Sequence, residues 1–294
     1  MDFNLSITFC AVPYPVTTKE LYNLYLITMS SWLTTSHLSK LLILLPQEEF
    51  DPNNTIVPEL ERHFGKNRIF FTEPIDVDSD GVPYIDDWFF KGFDYSQTDY
   101  VCWINSDIIL PKGWYPRCQF VMDYFYQKNL QAAVISRRCD FNYSLKQKTQ
   151  IPIDYDSIAK DRHTHSTWGI DFFLISKKPM QLNIDEIPPF HMGKYRWDPW
   201  VAGWLDSHIA LTSLGDGFCS YHFNHKPKNR HISDPKVKEN YVLAARHNRY
   251  SHSNAKAAYK IKKNHLQYKN KILTSFGKEM PLDNAPADYN SRSD

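Results

Sequence analysis

The chain has 294 residues, of which 42% are apolar and 15% aromatic, enough for the core of one large α/β domain. Its 34 basic and 33 acidic residues give a net charge of +1, so no overall positive field points to a nucleic-acid partner. No stretch approaches the roughly 18 apolar residues of a transmembrane helix, and residues 1–6 lack the basic and apolar regions of a signal peptide. We therefore expect a soluble, cytoplasmic chain, or one whose membrane anchor has been removed.

The five cysteines predict a reduced protein. Their number is odd, and Cys10 and Cys102 lie inside apolar runs. Cysteines of this kind are typical of buried thiols in a reducing compartment rather than of a disulfide framework.

The first 71 residues have the pattern of a βαβ unit. Thr17 and Glu20 stand at capping-box spacing and predict the start of a helix, whose apolar residues recur at helical spacing through Trp32. Three short apolar runs are predicted strands, at residues 6–11, 41–45 and 68–71. Strand, helix and strand in this order predict a layered, parallel arrangement.

An acidic stretch follows at residues 73–98. Asp76 and Gly81 occupy the first and sixth positions of a calcium-binding loop, but the twelfth is Asp87 rather than the usual Glu. A loop and a helix leading into the next strand fit this stretch better than a calcium site does.

A polar triplet interrupts the apolar stretch at residues 100–110. Residues 101–104 predict a strand buried on both faces, Asn105-Ser106-Asp107 follows, and residues 108–110 are apolar again. A carboxylate between two such runs is costly to bury without a partner. We therefore expect Asp107 at the carboxyl end of a central strand, where open α/β sheets bind their ligands.

The next elements are a predicted helix at residues 114–126 and a strand at residues 132–136. Arg137 and Arg138 follow that strand and could reach a diphosphate, although exposed arginines are often only solvated. Residues 140–165 are polar and show no periodicity, so we predict a long connection.

The second half contains two carboxylates in apolar surroundings. Asp171 lies at the start of a predicted strand. Asp198 has the features of a helix N-cap, because Pro199 follows it and Trp197, Trp200 and Trp204 recur at helical spacing.

Histidines and basic residues fill the last part of the chain. His222 and His225 stand at a zinc-like spacing, but no cysteine pair completes a structural zinc site. Residues 236–276 predict a basic helical extension, and residues 277–294 a disordered tail.

Several of these motifs, in this order, resemble the GT-A-type glycosyltransferases, which use nucleotide sugars. Asn105-Ser106-Asp107 resembles their Asp-x-Asp element, with Asn in place of the first Asp. The stretch Trp197–Trp200 resembles the W-D-x-W of inverting members, and residues 222–225 resemble a late H-x-N-H element. With Ser31-Trp32 in the first helix, the order is also similar to that of GT-A-like proteins from plants, algae and large viruses, over residues 5–235.

The resemblance implies a mixed central sheet flanked by helices, a Mn²⁺ or Mg²⁺ cofactor, and roles for individual residues. The metal would be bound by Asp107 and His222, and Asp198 would be the general base. Nucleotide contacts are implied for Pro13, Tyr14, Thr17, Asn105 and Ser106, sugar contacts for Asp171, Trp197 and Trp200, and diphosphate contacts for His225 and Lys228.

The function implied is transfer of a sugar from a nucleotide donor, such as UDP-xylose, UDP-glucose or UDP-galactose, to a glycan hydroxyl with inversion. The catalytic domain would span residues 1–235, with a nucleotide-binding half at about 1–110 and an acceptor half at about 111–235. Two alternatives remain. Asn105 favours a carbohydrate-binding protein with a degenerate site, whereas a sugar-nucleotide pyrophosphorylase would need a glycine-rich loop that residues 12–17 do not provide.

Overall fold

A computed structural model describes residues 4–34, 36–46, 56–142, 155, 162–164, 168–179, 181–215, 218–224, 231–246, 256–262, 265–269 and 271–275. Its helices are α1 (Lys19–Thr34), α2 (Val57–Phe64), α3 (Ile85–Tyr95), α4 (Trp114–Tyr126), α5 (Trp197–His208) and α6 (Pro235–Arg246). Its strands are β1 (Ile7–Ala11), β2 (Lys40–Ile43), β3 (Ile69–Phe71), β4 (Tyr100–Ile104), β5 (Ile108–Ile109), β6 (Ala132–Ile135), β7 (Arg137–Phe141), β8 (His163–Thr164), β9 (Phe172–Ser176), β10 (Ala210–Ser213), β11 (Cys219–Phe223), β12 (Tyr259–Lys262), β13 (His265–Tyr268) and β14 (Lys271–Ser275). None of the helices in these ranges is long and apolar enough to cross a membrane.

Ten strands form one mixed central sheet in the order β14-β13-β12-β10-β6-β9-β4-β1-β2-β3. Strands β4, β1, β2 and β3 are parallel, and β9 runs antiparallel between β4 and β6. The start of β9 therefore lies beside the end of β4, with Phe172 opposite Ile104. A second sheet, β5-β11-β7-β8, begins at the carboxyl end of β4, where β5 follows it in the chain.

The central sheet is covered on both faces. Phe9 of β1 points to one face, where it packs on Trp32 of α1 and Trp114 of α4 at ring distances of 5.7 Å. Trp103 of β4 points to the other face and stacks on Phe89 of α3 at 4.6 Å. Burial on both faces is the reason the central strands are nearly continuous apolar runs. The predicted fold class, a mixed central sheet flanked by helices, is confirmed.

The predicted start of the first helix is wrong by one residue. The hydroxyl of Thr18, not Thr17, accepts the hydrogen bond from the backbone N–H of Leu21 (3.2 Å), and α1 begins at Lys19. Both positions offer a threonine, so composition alone does not separate them.

The predicted C-terminal helix is correct only as far as Arg246. Strands β12, β13 and β14 follow and extend the central sheet instead. Ile261 and Leu266 are buried between exposed or partly exposed neighbours, which is the two-residue period of a strand. The frequent lysines of this segment are compatible with a helix or with an edge strand, so the alternation of buried and exposed residues is hard to recognise in the sequence. Residues 277–294 lie outside the described part of the chain.

The long connection predicted at residues 140–165 is also partly wrong. Asp140 and Phe141 complete β7, which pairs with β11 and with the short strand β8. Paired polar strands of this kind lack the apolar periodicity by which strands are found in a sequence.

The prediction of five reduced cysteines is wrong for one pair. Cys139 of β7 and Cys219 of β11 form a disulfide, with Cα atoms 5.8 Å apart. The remaining cysteines, Cys10, Cys102 and Cys118, are free and buried. Parallel pairing of β7 with β11 brings together two residues that are 80 positions apart, and local sequence does not reveal such a pairing. The argument for a reducing compartment therefore loses its support.

Candidate active site at the carboxyl end of strand β4

The polar triplet forms a tight turn between β4 and β5, at the edge of the central sheet. Side chains of helix α1 donate hydrogen bonds to the backbone carbonyls of this turn. The hydroxyl of Thr28 donates to Ser106 O (2.7 Å), and the indole of Trp32 donates to Ile108 O (2.8 Å). Buried carbonyls need such donors, so the polar and aromatic residues of α1 fix the turn. Ser106 itself is buried.

His222 stands directly beside the turn. Strand β11 pairs antiparallel with β5, which places His222 opposite Ile108, and pairs parallel with β7, which places His222 opposite Asp140. Its Nε2 lies 3.3 Å from Oδ2 of Asp107, and its Nδ1 lies 2.9 Å from Oδ1 of Asp140. The pairing of β11 within the second sheet therefore places the imidazole of His222 beside Asp107.

The charge of His222 depends on two opposing effects. Burial acts to lower the pKa of His222, but the carboxylate of Asp107 and hydrogen bonds to Asp107 and Asp140 outweigh it. The net effect raises the pKa to about 9, so the imidazole carries a proton at neutral pH.

Once the imidazole of His222 gives up the proton on Nε2, Asp107 and His222 can act as a donor pair for one divalent cation. In the described part of the chain no group of three or more His, Cys, Asp or Glu side chains could hold a metal ion, so a cation held by this pair would need its remaining ligands from substrate and water. Two neighbouring ligands at about 2.1 Å from an octahedral ion are roughly 3 Å apart, close to the observed 3.3 Å. A carboxylate oxygen and an imidazole suit Mn²⁺, whose other positions substrate phosphates and water can fill.

Asn105 and Arg138 converge on Asp171. The Asn105 amide donates to Oδ1 of Asp171 (2.8 Å), and its backbone N–H donates to Asp171 O (3.2 Å). Arg138 donates from Nη1 to Oδ2 of Asp171 (3.2 Å) and also pairs with Asp140 (3.0 Å). A second carboxylate at position 105 would face that of Asp171 at hydrogen-bond distance, so the amide of Asn105 suits this position better than a carboxylate would.

Asp198 lies in the first turn of α5, and its carboxylate binds the chain just before β9. Oδ2 of Asp198 accepts a hydrogen bond from the backbone N–H of Ile170 (3.3 Å). Burial, and to a smaller extent the charge of Asp171, raises the pKa of Asp198 to about 8. The hydrogen bond from the Ile170 N–H and the charge of Arg138 act in the opposite direction. Asp198 is therefore a carboxyl group that can exchange a proton near neutral pH.

The predicted N-cap role of Asp198 is wrong. Helix α5 begins at Trp197, and Arg196 occupies the cap position with φ of 87° and no side-chain capping hydrogen bond. The left-handed backbone of Arg196 starts the helix two residues earlier than the Asp-Pro pattern suggests. Asp198 is thus inside the helix, and its Oδ2 accepts a hydrogen bond from Ile170, which lies outside α5.

Trp197 and Trp200 do not fit the predicted contact with a sugar. Their exposed fractions are 4% and 1%. The ring of Trp197 packs on Trp88 and Phe173 at 5.9 and 5.7 Å, and that of Trp200 on Phe190 at 5.5 Å. Both rings are core residues that hold the start of α5, so they position Asp198 and offer no open face to a ligand.

The loop after β1 is exposed to solvent at Tyr14 and Thr17. Tyr14 is 70% exposed, its backbone N–H donates to the hydroxyl of Tyr25 (2.9 Å), Pro13 is buried and Thr17 is exposed. A Cβ on Gly193 would lie 3.6 Å from the Tyr14 hydroxyl, so this loop reaches the turn that precedes Asp198. The nucleotide contacts of these residues and of Ser106 remain predictions, and His225 and Lys228 lie outside the described ranges.

Sequence reasoning missed Asp140, which lies in the predicted long connection. Arg138 was predicted to reach a diphosphate or solvent, but it is held between Asp140 and Asp171. Arg138 and Asp140 are two residues apart, so on a strand they share one face. That spacing was the available signal, and it required β7 to be recognised as a strand.

The calcium alternative does not fit the acidic loop. Asp78 accepts hydrogen bonds from the backbone N–H groups of Asp80 and Val82 and pairs with His191 (2.9 Å) and Lys236. Asp87 pairs with Lys91 (2.7 Å) at the start of α3. The carboxylates of Asp78 and Asp87 are therefore used by the protein's own donors, and the favoured loop and helix are what the structure contains.

Comparison with models of protein families gives no match, and neither does comparison with curated proteins. Three of the similar solved structures are a mannosyltransferase, a synthase and a thymidylyltransferase-like protein. The mannosyltransferase, from Pyrobaculum calidifontis in complex with GDP-Man and Mn²⁺, is 10% identical over 84% of this chain and 65% of its own, with a TM-score of 0.44. The glucosyl-3-phosphoglycerate synthase from Mycobacterium tuberculosis is in complex with Mn²⁺, UDP and glucosyl-3-phosphoglycerate. It is 15% identical over 95% of this chain and 90% of its own, with a TM-score of 0.42.

The third structure is a glucose-1-phosphate thymidylyltransferase-like protein from Bacillus anthracis in complex with sucrose. It is 14% identical over 81% of this chain and 94% of its own, with a TM-score of 0.36. The chain spans about 65% of the length of the mannosyltransferase. At these identities and TM-scores we take no functional argument from the similarities.

Proposed function

We propose that this protein is a metal-dependent glycosyltransferase that moves a sugar from a nucleoside-diphosphate donor to a hydroxyl of a glycan, with inversion at the anomeric carbon. The observation that carries the proposal is Asp198, a carboxyl group with a pKa raised to about 8 that polar contacts connect to a second pair of groups, Asp107 and His222. One group can take a proton and the other pair can hold the charge of a leaving diphosphate. An inverting displacement needs both.

A continuous set of polar contacts links the two groups. Asp198 binds the N–H of Ile170, the next residue is Asp171, and Asp171 contacts Asn105 and Arg138. Arg138 pairs with Asp140, which in turn contacts His222. This network of contacts between the proposed base and the proposed leaving-group site supports a reaction in which the two groups keep a fixed relative geometry.

In the proposed reaction Asp198 takes the proton of the acceptor hydroxyl. At the same time the oxygen of that hydroxyl forms a bond to the anomeric carbon of the donor sugar. The bond from that carbon to the diphosphate oxygen breaks, and the diphosphate leaves with the electron pair. A cation bound by Asp107 and His222 would supply charge stabilisation to the diphosphate. Tyr14 in the exposed loop would stack on the nucleobase, with a UDP-sugar as the proposed donor.

The carbohydrate-binding alternative rested on Asn105. The hydrogen bond from Asn105 to Asp171 removes the reason to see this residue as a sign of a degenerate site, because the amide is the partner that a buried carboxylate needs. The pyrophosphorylase alternative still lacks a glycine in residues 12–17. We therefore retain the transferase.

The test is turnover of nucleotide sugars by the wild type and by Asp198→Asn, measured as release of the nucleoside diphosphate with Mn²⁺ present. The amide cannot take a proton, so we expect turnover to fall by roughly 100-fold or more, with donor binding retained. Asp185→Asn, a carboxylate in a surface 3₁₀ turn, is the matched control and should behave as the wild type. Wild-type turnover in Asp198→Asn would refute Asp198 as the base.

A further inference from the structure

One tryptophan differs from the other seven. Trp32, Trp88, Trp103, Trp114, Trp197, Trp200 and Trp204 are all at most 4% exposed, whereas Trp168 is 42% exposed. The seven buried rings are accounted for by the two layers of the core. The Trp168 ring is not needed there, so its position on the surface calls for a separate explanation.

Trp168 lies close to the proposed base. It precedes Ile170 by two residues, and Ile170 donates its N–H to Asp198. Two consecutive Cα–Cα steps of 3.8 Å place the Cα atoms of Trp168 and Ile170 within about 7.6 Å. Gly169 and Ile170 are buried, so the segment that carries the ring is anchored beside the base.

The ammonium group of Lys256 contacts the exposed ring of Trp168. Its Nζ lies 5.5 Å from the centroid of the Trp168 ring, a cation–π distance. The next residue, Ala257, is buried in the same cluster as Trp197 and Trp200. An aromatic face and an ammonium group are therefore fixed together on the rim of the site, and both are anchored to the core that positions α5.

We propose that Trp168 and Lys256 form the subsite for the acceptor, and that the acceptor is a pyranose whose apolar face stacks on Trp168. A pyranose has a face of C–H groups and a rim of hydroxyls. The indole offers the flat apolar surface for the first, and the ammonium of Lys256 donates hydrogen bonds to the second. The subsite belongs to the acceptor because it adjoins Asp198, which takes the acceptor's proton, whereas the donor diphosphate would lie at Asp107 and His222. This inference rests on the proposed function.

The test measures binding of the full chain to an array of immobilised glycans, in the presence of UDP and Mn²⁺. We expect the wild type to bind a defined set of glycans, Trp168→Ala to bind the same set roughly tenfold or more weakly, and Lys256→Met to lose affinity to a smaller extent. Tyr126→Ala is the matched control, because Tyr126 is a 66% exposed aromatic at the end of α4, and it should bind as the wild type does.

A second readout reports on the ring itself. Trp168 is the one strongly exposed tryptophan of the eight, so acrylamide should quench mainly its fluorescence, and a glycan from the bound set should protect it. Unchanged glycan binding by Trp168→Ala, no protection by a bound glycan, or no glycan bound by the wild type would each overturn the subsite. UDP binding by thermal shift separates the two proposals: if UDP with Mn²⁺ stabilises the wild type, the failure concerns only the subsite, and if it does not, the proposed function itself fails.

Discussion

Asn105 and Asp171 form a matched pair in which one partner carries the charge and the other donates the hydrogen bond. The amide of Asn105 lies 2.8 Å from Oδ1 of Asp171, and the second oxygen of Asp171 is used by Arg138. Local sequence gives no reason for an amide at position 105. Its partner Asp171 lies 66 residues further on, at a position that the antiparallel pairing of β4 with β9 brings near.

The pair predicts a charge-dependent effect on stability. Asn105→Asp would set two carboxylates at hydrogen-bond distance and remove a donor, so we expect a loss of about 1–3 kcal/mol in unfolding free energy at neutral pH. Asn105→Ala is the control, since it removes the hydrogen bond without adding charge, and it should lose less. Adding Asp171→Asn to Asn105→Asp should recover part of the loss. Urea denaturation measures all four proteins, and equal losses for Asp and Ala at position 105 would contradict the charge argument.

The raised pKa of Asp198 predicts opposite pH effects on activity and stability. The base works only when deprotonated, so kcat/KM should rise with pH and level off above about 8. A carboxyl whose pKa is raised on folding contributes stability that is complete below its unfolded pKa and is lost as the pH rises through the folded value of about 8. Asp198→Asn does not ionise, so its melting temperature should exceed that of the wild type by a margin that grows from about pH 4 to pH 8. Melting temperatures that keep a constant difference over this range would contradict the raised pKa.

Strands β7 and β11 are the elements that build the site, and the disulfide joins them. Asp140 and Arg138 come from β7 and His222 from β11, while Cys139 and Cys219 connect the same two strands. Local patterns predicted the β1, β4 and α4 elements, because these have apolar periodicity. They did not predict β7 or the disulfide, because polar strands and distant cysteine pairs leave no local signal.

Reduction of the disulfide should therefore destabilise the site as well as the chain. In the chain-entropy model a bond that closes a loop of 80 residues stabilises by about 4 kcal/mol, so dithiothreitol should lower the melting temperature by about 5–10 °C. The variant with Cys139→Ser and Cys219→Ser is the control. It should melt at the reduced temperature with or without dithiothreitol, although three cysteines remain. Five reactive thiols in the denatured, non-reduced wild type would contradict the pairing.

Strand β12 joins the C-terminal strands to the central sheet beside β10, and the chain after β10 approaches it closely at Gly215. Gly215, after β10, has φ of +79°, and a Cβ there would lie 1.7 Å from the carbonyl oxygen of Ile261 in β12. Gly81 has a similar φ of +76° but nothing within 4 Å of such a Cβ. The two glycines thus share the backbone conformation and differ in the space beside it.

This difference makes a paired prediction. Gly81→Ala should cost only the conformational strain, about 1–2 kcal/mol, whereas Gly215→Ala should cost more because β12 must move away. Hydrogen exchange should then be faster in β12, β13 and β14 of Gly215→Ala and unchanged there in Gly81→Ala. Equal protection of these strands in both variants would show that the contact does not hold them.

At the scale of the whole molecule, the fold class followed from the sequence because both faces of the central strands are buried, and the strands read as apolar runs. The place of Asp107 directly after β4 followed from the same logic, since a carboxylate after a buried strand is expected at a sheet edge. What the sequence did not reveal is how residues from distant elements meet: Asp171 with Asn105, Asp140 with His222, and the exposure of Trp168 against the burial of Trp197. Each depends on strand order and register, which are properties of the assembled sheet.

The measurement that tests the central proposal most directly is thermal stabilisation by a panel of nucleotide sugars, each with Mn²⁺ and with EDTA. A ligand that binds only the folded state raises the melting temperature by mass action. We predict a rise for at least one nucleoside-diphosphate sugar with Mn²⁺, loss of that rise with EDTA, and no rise in Asp107→Asn under either condition. A rise that persists in EDTA and in Asp107→Asn, or no rise for any donor while the protein stays folded, would contradict a metal-dependent donor site at Asp107 and His222.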